Sequence, residues 1–161
     1  MSTTFSSAAA DAALSVARAT LAEIVPATAT KHAHIVLTLT GSSYALHLRT
    51  TPAAADSLAA RLGKKVSGII TVQARRVDVA GTGGRFIEPL VGRPRRVQGT
   101  VLARDTAANT LTLNAAGAAA VDGPSLPILL KLTDARQRAD QFAVGVMVGC
   151  DVLDGGTFDP R

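Results

Sequence analysis

The chain contains almost no aromatic side chains and a single cysteine. No tryptophan occurs among its 161 residues, and aromatic residues make up only 3% of them. Cys150 cannot form an internal disulfide, and its position in a predicted strand favours a buried structural thiol over a reactive one. No run reaches the roughly 18 consecutive apolar residues of a membrane-spanning helix. These absences exclude an internal disulfide and predict no integration into a membrane.

The N-terminal segment lacks the basic start and compact apolar run of a secretory signal, and Asp11 and Arg18 interrupt it. We therefore expect a cytoplasmic protein. From about Ser7 to Val25, apolar residues recur at alternating spacings of four and three, which predicts an α-helix that ends before Pro26. The helix is expected to pack on its own domain, with a dimer contact as the alternative.

No catalytic motif is present in the chain. There is no serine in a nucleophile elbow, no HExxH sequence, and no cysteine close in sequence to a histidine. Aspartate and glutamate residues are scattered singly, so their spacing gives no acid/base pair. The sequence thus predicts a protein that is not an enzyme and needs no cofactor.

One stretch of sequence occurs twice in outline. It reads LHLRTTPAAADSLAARLGKKVSGIITV from Leu46 and LLKLTDARQRADQFAVGVMVGCDVL from Leu129. Each copy has an apolar strand, a short helical connection, a glycine and another strand. A period of about eighty residues exceeds the roughly 20–50 residues of solenoid repeats, which favours tandem duplication of a small domain. The matched pairs are Leu48 with Leu132, Asp56 with Asp140, Leu58 with Phe142, and Gly63 with Gly145.

Residues 34–50 form a predicted hairpin of two alternating runs. Gly41 and Ser42 suit a two-residue turn with glycine first. Pairing Thr40 with Ser43 places the apolar residues of both runs on one face, which we expect to be the core. The opposite face then carries His34, Val36 and Thr38 beside Arg49, His47 and Ala45, with His32 further out.

The half from Val97 to Phe158 orders its elements as strand, hairpin, strand, helical link and strand, as in a five-stranded oligonucleotide/oligosaccharide-binding (OB) barrel. Its segments QGTVLARD, NTLTLN and FAVGVMV resemble small bacterial barrels of this kind. The resemblance implies the fold only. One such relative, the periplasmic copper-binding barrel, uses methionine, histidine and tryptophan, and this half has only Met147, so that metal role does not carry over.

These patterns together predict a mainly β protein of two tandem small OB-like β-barrels related by internal duplication, with an N-terminal α-helix and short helical connections. The predicted boundaries are 1–30 for the N-terminal helix, 31–96 for the first barrel-like half and 97–161 for the second.

The net charge of +5 is concentrated in the middle of the chain. Between Gly63 and Arg104, nine basic residues are opposed only by Asp78 and Glu88. Arginines can neutralise a run of phosphates, and Phe86 is the one plausible stacking residue, so this tract predicts a non-enzymatic module that binds nucleic acid or another polyanion. The alternative is a structural protein that assembles as a homo-oligomer or binds an acidic protein partner. The predicted binding residues are Lys64, Lys65, Arg75, Arg76, Arg85, Phe86, Arg93, Arg95 and Arg96.

Two further patterns are weighed against ordinary structural roles. His32, His34 and His47 lie on one predicted sheet face and could converge on zinc or copper. No carboxylate or cysteine lies nearby to complete such a site. Solvated histidines are therefore favoured, and no metal is predicted. The loop AGTGGR could present amides to a phosphate, but it lacks the lysine and hydroxyl residue of a nucleotide-binding loop. A plain flexible hairpin loop is therefore favoured.

Overall fold

The computed structural model describes residues 15–116 and 126–161 of the chain. Within these ranges the protein is mainly β, with one short α-helix, α1 (Pro52–Leu58), and 3-10 turns at Ala59–Arg61 and Ala139–Gln141. The strands are β1 (Val16–Val25), β2 (His34–Thr38), β3 (Ala45–Arg49), β4 (Lys65–Val79), β5 (Phe86–Glu88), β6 (Val91–Gly92), β7 (Arg96–Asp105), β8 (Thr110–Ala116), β9 (Leu126–Leu132) and β10 (Met147–Pro160).

The strands close into two hydrogen-bonded rings that share two members. The first ring follows β1, β2, β3, β10 and β4, and a β1–β4 pairing closes it. The second ring follows β4, β9, β8, β7 and β10, and a β10–β7 pairing closes it. The shared strands β4 and β10, with 15 and 14 residues, run antiparallel through both rings. Because β10 pairs with β3 and β4 pairs with β9, each ring contains strands from both halves of the chain.

The predicted N-terminal helix is wrong where the chain is described, because residues 16–25 form strand β1. Its side chains bury with a period of two at Ala17, Ala19 and Leu21, and it pairs with β2 and with β4. Helix propensity is a weak preference, and tertiary pairing that satisfies the backbone on both edges overrides it. The rest of the predicted helix, at 7–14, lies outside the described residues.

The predicted hairpin is confirmed in its register and corrected in its turn. Leu37 pairs with Leu46 and His34 with Arg49, as the expected pairing of the apolar face requires. The amide of Ser42 donates to the carbonyl of Leu39 at 3.2 Å, which puts Gly41 at the second central position of the turn instead of the first. Gly41 has φ +78°, a left-handed value that favours glycine there.

The connection from β3 to β4 forms as the sequence predicts. The Thr51 side chain caps α1 by accepting from the amide of Ala54 at 3.1 Å, and Pro52 begins the helix. Gly63, at φ +81°, turns the chain into β4. Ala55 and Leu58 bury the inner face of α1, which fixes the helix beside the first ring.

Gly68 allows a close approach of strands β4 and β10. It keeps regular pairing with Ala17 on β1 and with Pro160 on β10. A Cβ atom at this position would lie 2.5 Å from the carbonyl oxygen of Asp159 and in contact with the Phe158 ring. The pairing of β4 with β10 shifts elsewhere, between Cys150 and Val152 and between Leu153 and Gly156.

Substituting Gly68 by alanine tests this close approach. We expect the free energy of unfolding to fall by about 1–3 kcal/mol, because the new methyl group meets backbone that cannot move aside. The matched control is Gly81→Ala, since a Cβ atom at Gly81 meets nothing within 4 Å. Thermal unfolding followed by circular dichroism measures both, and equal midpoints for the two variants would contradict the close packing.

The core also contains the single cysteine, as the sequence predicts. Cys150 is 2% exposed, and burial raises the pKa of its thiol to about 12 against a usual value of 9.0, although Arg96 partly opposes the shift. The native state therefore holds the proton more tightly than the unfolded chain does. The stability that this provides is complete below the unfolded pKa and declines as pH rises through about 9 to about 12.

We accordingly expect the free energy of unfolding of Cys150→Ala to fall less at alkaline pH than that of the wild type. Denaturant unfolding at pH 8 and pH 10.5 should show a smaller difference in the variant than in the wild type, because lysine and tyrosine titration is common to both. A thiol reagent should modify native wild-type protein far more slowly than unfolded protein. Rapid modification of the native protein would contradict the assigned burial.

Candidate functional site

A cleft of ≈ 290 Å³ opens on the first ring, where the β2–β3 hairpin meets β10. It draws on four segments: the loop before β2, the hairpin, the loop between β6 and β7, and the shifted part of β10. Its lining residues are Thr30, Lys31, His32, His34, His47, Leu48, Arg49, Arg93, Asp154 and Gly156.

The hairpin supplies the central donors of the cleft. His34 lies directly opposite Arg49, and His47 pairs with Val36 one step along the same face. The imidazole rings of His34 and His47 are nearly parallel, with centroids 6.0 Å apart and an interplanar angle of 19°. Alternation along the two strands therefore projects both rings and one guanidinium to the same side of the sheet.

Arg49 is held by a backbone carbonyl from β10. Its Nη2 donates to the carbonyl oxygen of Asp154 at 2.9 Å, and its side chain is half-buried. A guanidinium has five N–H donors in a planar fork, so this bond orients the group and leaves further donors for a ligand. The contact involves a neutral carbonyl and not a carboxylate, so it does not cancel the positive charge.

The part of β10 where its pairing with β4 changes register forms the opposite wall of the cleft. Asp154 (φ +58°) and Gly155 (φ +69°) have no partner in the β4–β10 register and adopt left-handed backbone. A Cβ atom at Gly155 would lie 3.3 Å from Nε of Arg93, so the glycine allows that side chain to approach. Pairing of Gly156 with Leu48 then places this wall against β3.

Lys31 comes from a hydrogen-bonded turn at the edge of the cleft. The carbonyl of Lys31 accepts from the amide of Thr28 at 2.9 Å, and its amide donates to the Thr28 hydroxyl at 3.1 Å. The three permanent cations of the cleft, Lys31, Arg49 and Arg93, face one carboxylate, that of Asp154. Guanidinium, ammonium and imidazole donors around a concave surface are suited to a small oxyanion.

The structure places all three histidines along this cleft. A metal would need ring nitrogens aimed at one point about 2.0–2.1 Å away, whereas the His34 and His47 rings stack face to face. Among residues 15–116 and 126–161, no group of three or more histidine, cysteine, aspartate or glutamate side chains is placed to hold a metal ion.

The basic tract does not form one surface. Lys65 begins β4 and Arg75 lies ten residues along it, roughly 30 Å at about 3.3 Å per residue. Arg76 pairs with Asp78 at 3.3 Å. Arg96 pairs with Asp151 at 3.1 Å. Of the predicted polyanion-binding residues only Arg93 lines the cleft; the others, Lys64, Lys65, Arg75, Arg76, Arg85, Phe86, Arg95 and Arg96, lie elsewhere.

Phe86 and the AGTGGR loop are both attached to strand β7. Phe86 is half-buried in β5 opposite Gln98. The buried side-chain amide of Gln98 donates to the carbonyls of Thr82 and Gly84 at 3.0 and 2.7 Å. These bonds tie the loop to β7 through its carbonyls.

Sequence reasoning missed several residues of the cleft as site residues. Arg49 could have been found, because the predicted hairpin already put it on the face of His34 and His47. Lys31, in the loop before β2, gave no signal. The place of Asp154 depends on the pairing of β3 with β10, whose paired residues are more than a hundred positions apart.

No protein-family model and no curated protein sequence matches the chain. A search of solved structures finds similarity to the cytoplasmic molybdate-binding protein ModG, in a form with molybdate bound, at 17% identity and a TM-score of 0.48. The match covers 91% of this chain and 95% of that chain. No helix in the described residues is long and apolar enough to cross a membrane.

The predicted nucleic-acid and polyanion function is wrong on these findings. The arginines of the basic tract are dispersed over the sheet, and two of them, Arg76 and Arg96, pair with carboxylates. The same findings correct the predicted partners. The alternative of a homo-oligomeric assembly protein, or of binding to an acidic protein, is not better supported.

Proposed function

We propose that this protein is a cytoplasmic, non-enzymatic binding module that holds a small oxyanion in the cleft between the β2–β3 hairpin and β10. The observation that carries the proposal is the orientation of Arg49, which a carbonyl of Asp154 fixes at 2.9 Å without neutralising it. Because this guanidinium is already oriented and keeps its charge, little side-chain conformational entropy is lost when an anion binds to it.

The other lining residues support the same ligand class. Arg93 and Lys31 add two permanent charges from separate loops, and His34 and His47 add ring N–H donors. Donors that converge from four segments can surround a tetrahedral anion.

We also propose that the fold consists of two OB-like halves that arose by duplication. The strand relations of β1–β4 recur in β7–β10: β2 pairs with β3 as β8 pairs with β9, and β1 pairs with β4 as β7 pairs with β10. The crossed parallel pairs, β3 with β10 and β9 with β4, repeat as well. This recurrence agrees with the sequence repeat, in which Gly63 matches Gly145 and another strand follows each glycine.

The proposed site is tested by isothermal titration of the wild type and of the Arg93→Ala variant with sulfate, phosphate and molybdate. We expect the affinity for the anion that binds best to fall about fivefold to twentyfold, because one charged contact to the anion is lost. Arg75→Ala is the matched control, since it removes the same charge from an exposed position on β4 outside the cleft. Equal losses in the two variants would indicate general charge attraction and contradict a site.

Replacing the carboxylate of the cleft should have the opposite effect. Asn is tolerated at the left-handed backbone of Asp154, so Asp154→Asn is expected to keep the fold and raise anion affinity about twofold to fivefold by removing repulsion. Asp105→Asn, in a turn of the second ring, makes the same charge change away from the cleft. A gain in both variants, or in neither, would exclude Asp154 from the site.

A further inference from the structure

A second cleft, of ≈ 490 Å³, adjoins the first and shares two residues with it, His32 and Arg49. It lies between β3, the start of α1 and the end of β10. Its remaining lining residues are Thr50, Thr51, Ala54, Thr157, Phe158 and Asp159.

The two clefts differ in chemistry. The first gathers cations, whereas the second is lined by three threonines, an alanine and a phenylalanine. Thr51 accepts from the amide of Ala54 at 3.1 Å, which leaves its O–H able to donate to a ligand. The one carboxylate of the second cleft, Asp159, pairs with Arg161 at 3.0 Å. Hydroxyl and apolar groups of this kind suit an uncharged part of a small molecule.

The clefts have room for more than a bare oxyanion. Four oxygen atoms displace about four waters, or roughly 120 Å³ at about 30 Å³ per water. That is less than half of the ≈ 290 Å³ of the first cleft alone. Arg49 lines both clefts, so an anionic group that it binds in the first has direct access to the second.

The charges favour an anionic group with a charge of about −2. Lys31, Arg49 and Arg93 against Asp154 leave two uncompensated positive charges. A phosphate monoester carries about −1.5 to −2 near neutral pH, which matches that excess. Building on the proposed oxyanion site, we infer that the ligand is a small organic phosphate monoester, with its phosphate in the first cleft and its organic part in the second.

The experiment compares inorganic phosphate with phenyl phosphate and ribose 5-phosphate by isothermal titration. Wild-type protein is expected to bind at least one monoester about tenfold more tightly than inorganic phosphate, because the organic part adds contacts in the second cleft. Ala54→Leu fills that cleft from a helical position where leucine is well tolerated. It should abolish the advantage of the monoester and leave inorganic phosphate binding unchanged.

Ala53→Leu is the matched control, because Ala53 is the exposed neighbour on α1 and lines neither cleft. It should bind all three probes as the wild type does. Monoesters that bind no better than phosphate, or an Ala54→Leu effect equal on all probes, would overturn the inference while the oxyanion site stands. No binding of any probe, together with no response to Arg93→Ala, would overturn the proposed function as well.

Discussion

The antiparallel pairing of β4 with β10 is the interaction on which the rest of the structure depends. Both rings contain this pair, with Ile70 opposite Phe158 in the first and Val77 opposite Cys150 in the second. Closing each ring removes the unpaired strand edges that a short sheet would expose. A chain with few aromatic residues thus obtains one continuous core, and both rings contribute to it through the same two strands.

The same pairing creates the cleft where its register shifts. Two long strands that serve two rings must change direction between them, and a local excess of residues in one strand allows that bend. On β10 the excess residues are Asp154 and Gly155. Their left-handed backbone turns a carbonyl to Arg49 and leaves room for Arg93. The irregular part of the central pair is therefore also the wall of the proposed binding site.

Much of the fold could be predicted from the sequence because it follows from local rules. The hairpin register came from alternation, and the capped helix between Thr51 and Gly63 came from proline and glycine positions. The failure at β1 has a different cause. Ala17 and Leu21 satisfy both a helical and an alternating pattern, and only pairing with β2 and β4 decides between the two. No signal in the sequence reports the pairing with β4, because Val16 pairs with Ile69, far along the chain.

The site was misread because charge density along a chain is not charge density in space. A strand separates successive side chains by about 3.3 Å and alternates their faces, so a basic tract that runs through strands is spread over the surface. What distinguishes an arginine for binding is its partner. Arg76 and Arg96 face carboxylates that offset their charge, whereas Arg49 is anchored by a neutral carbonyl. Orientation without neutralisation leaves a guanidinium available to an anion, and that condition depends on a fold-level contact and not on composition.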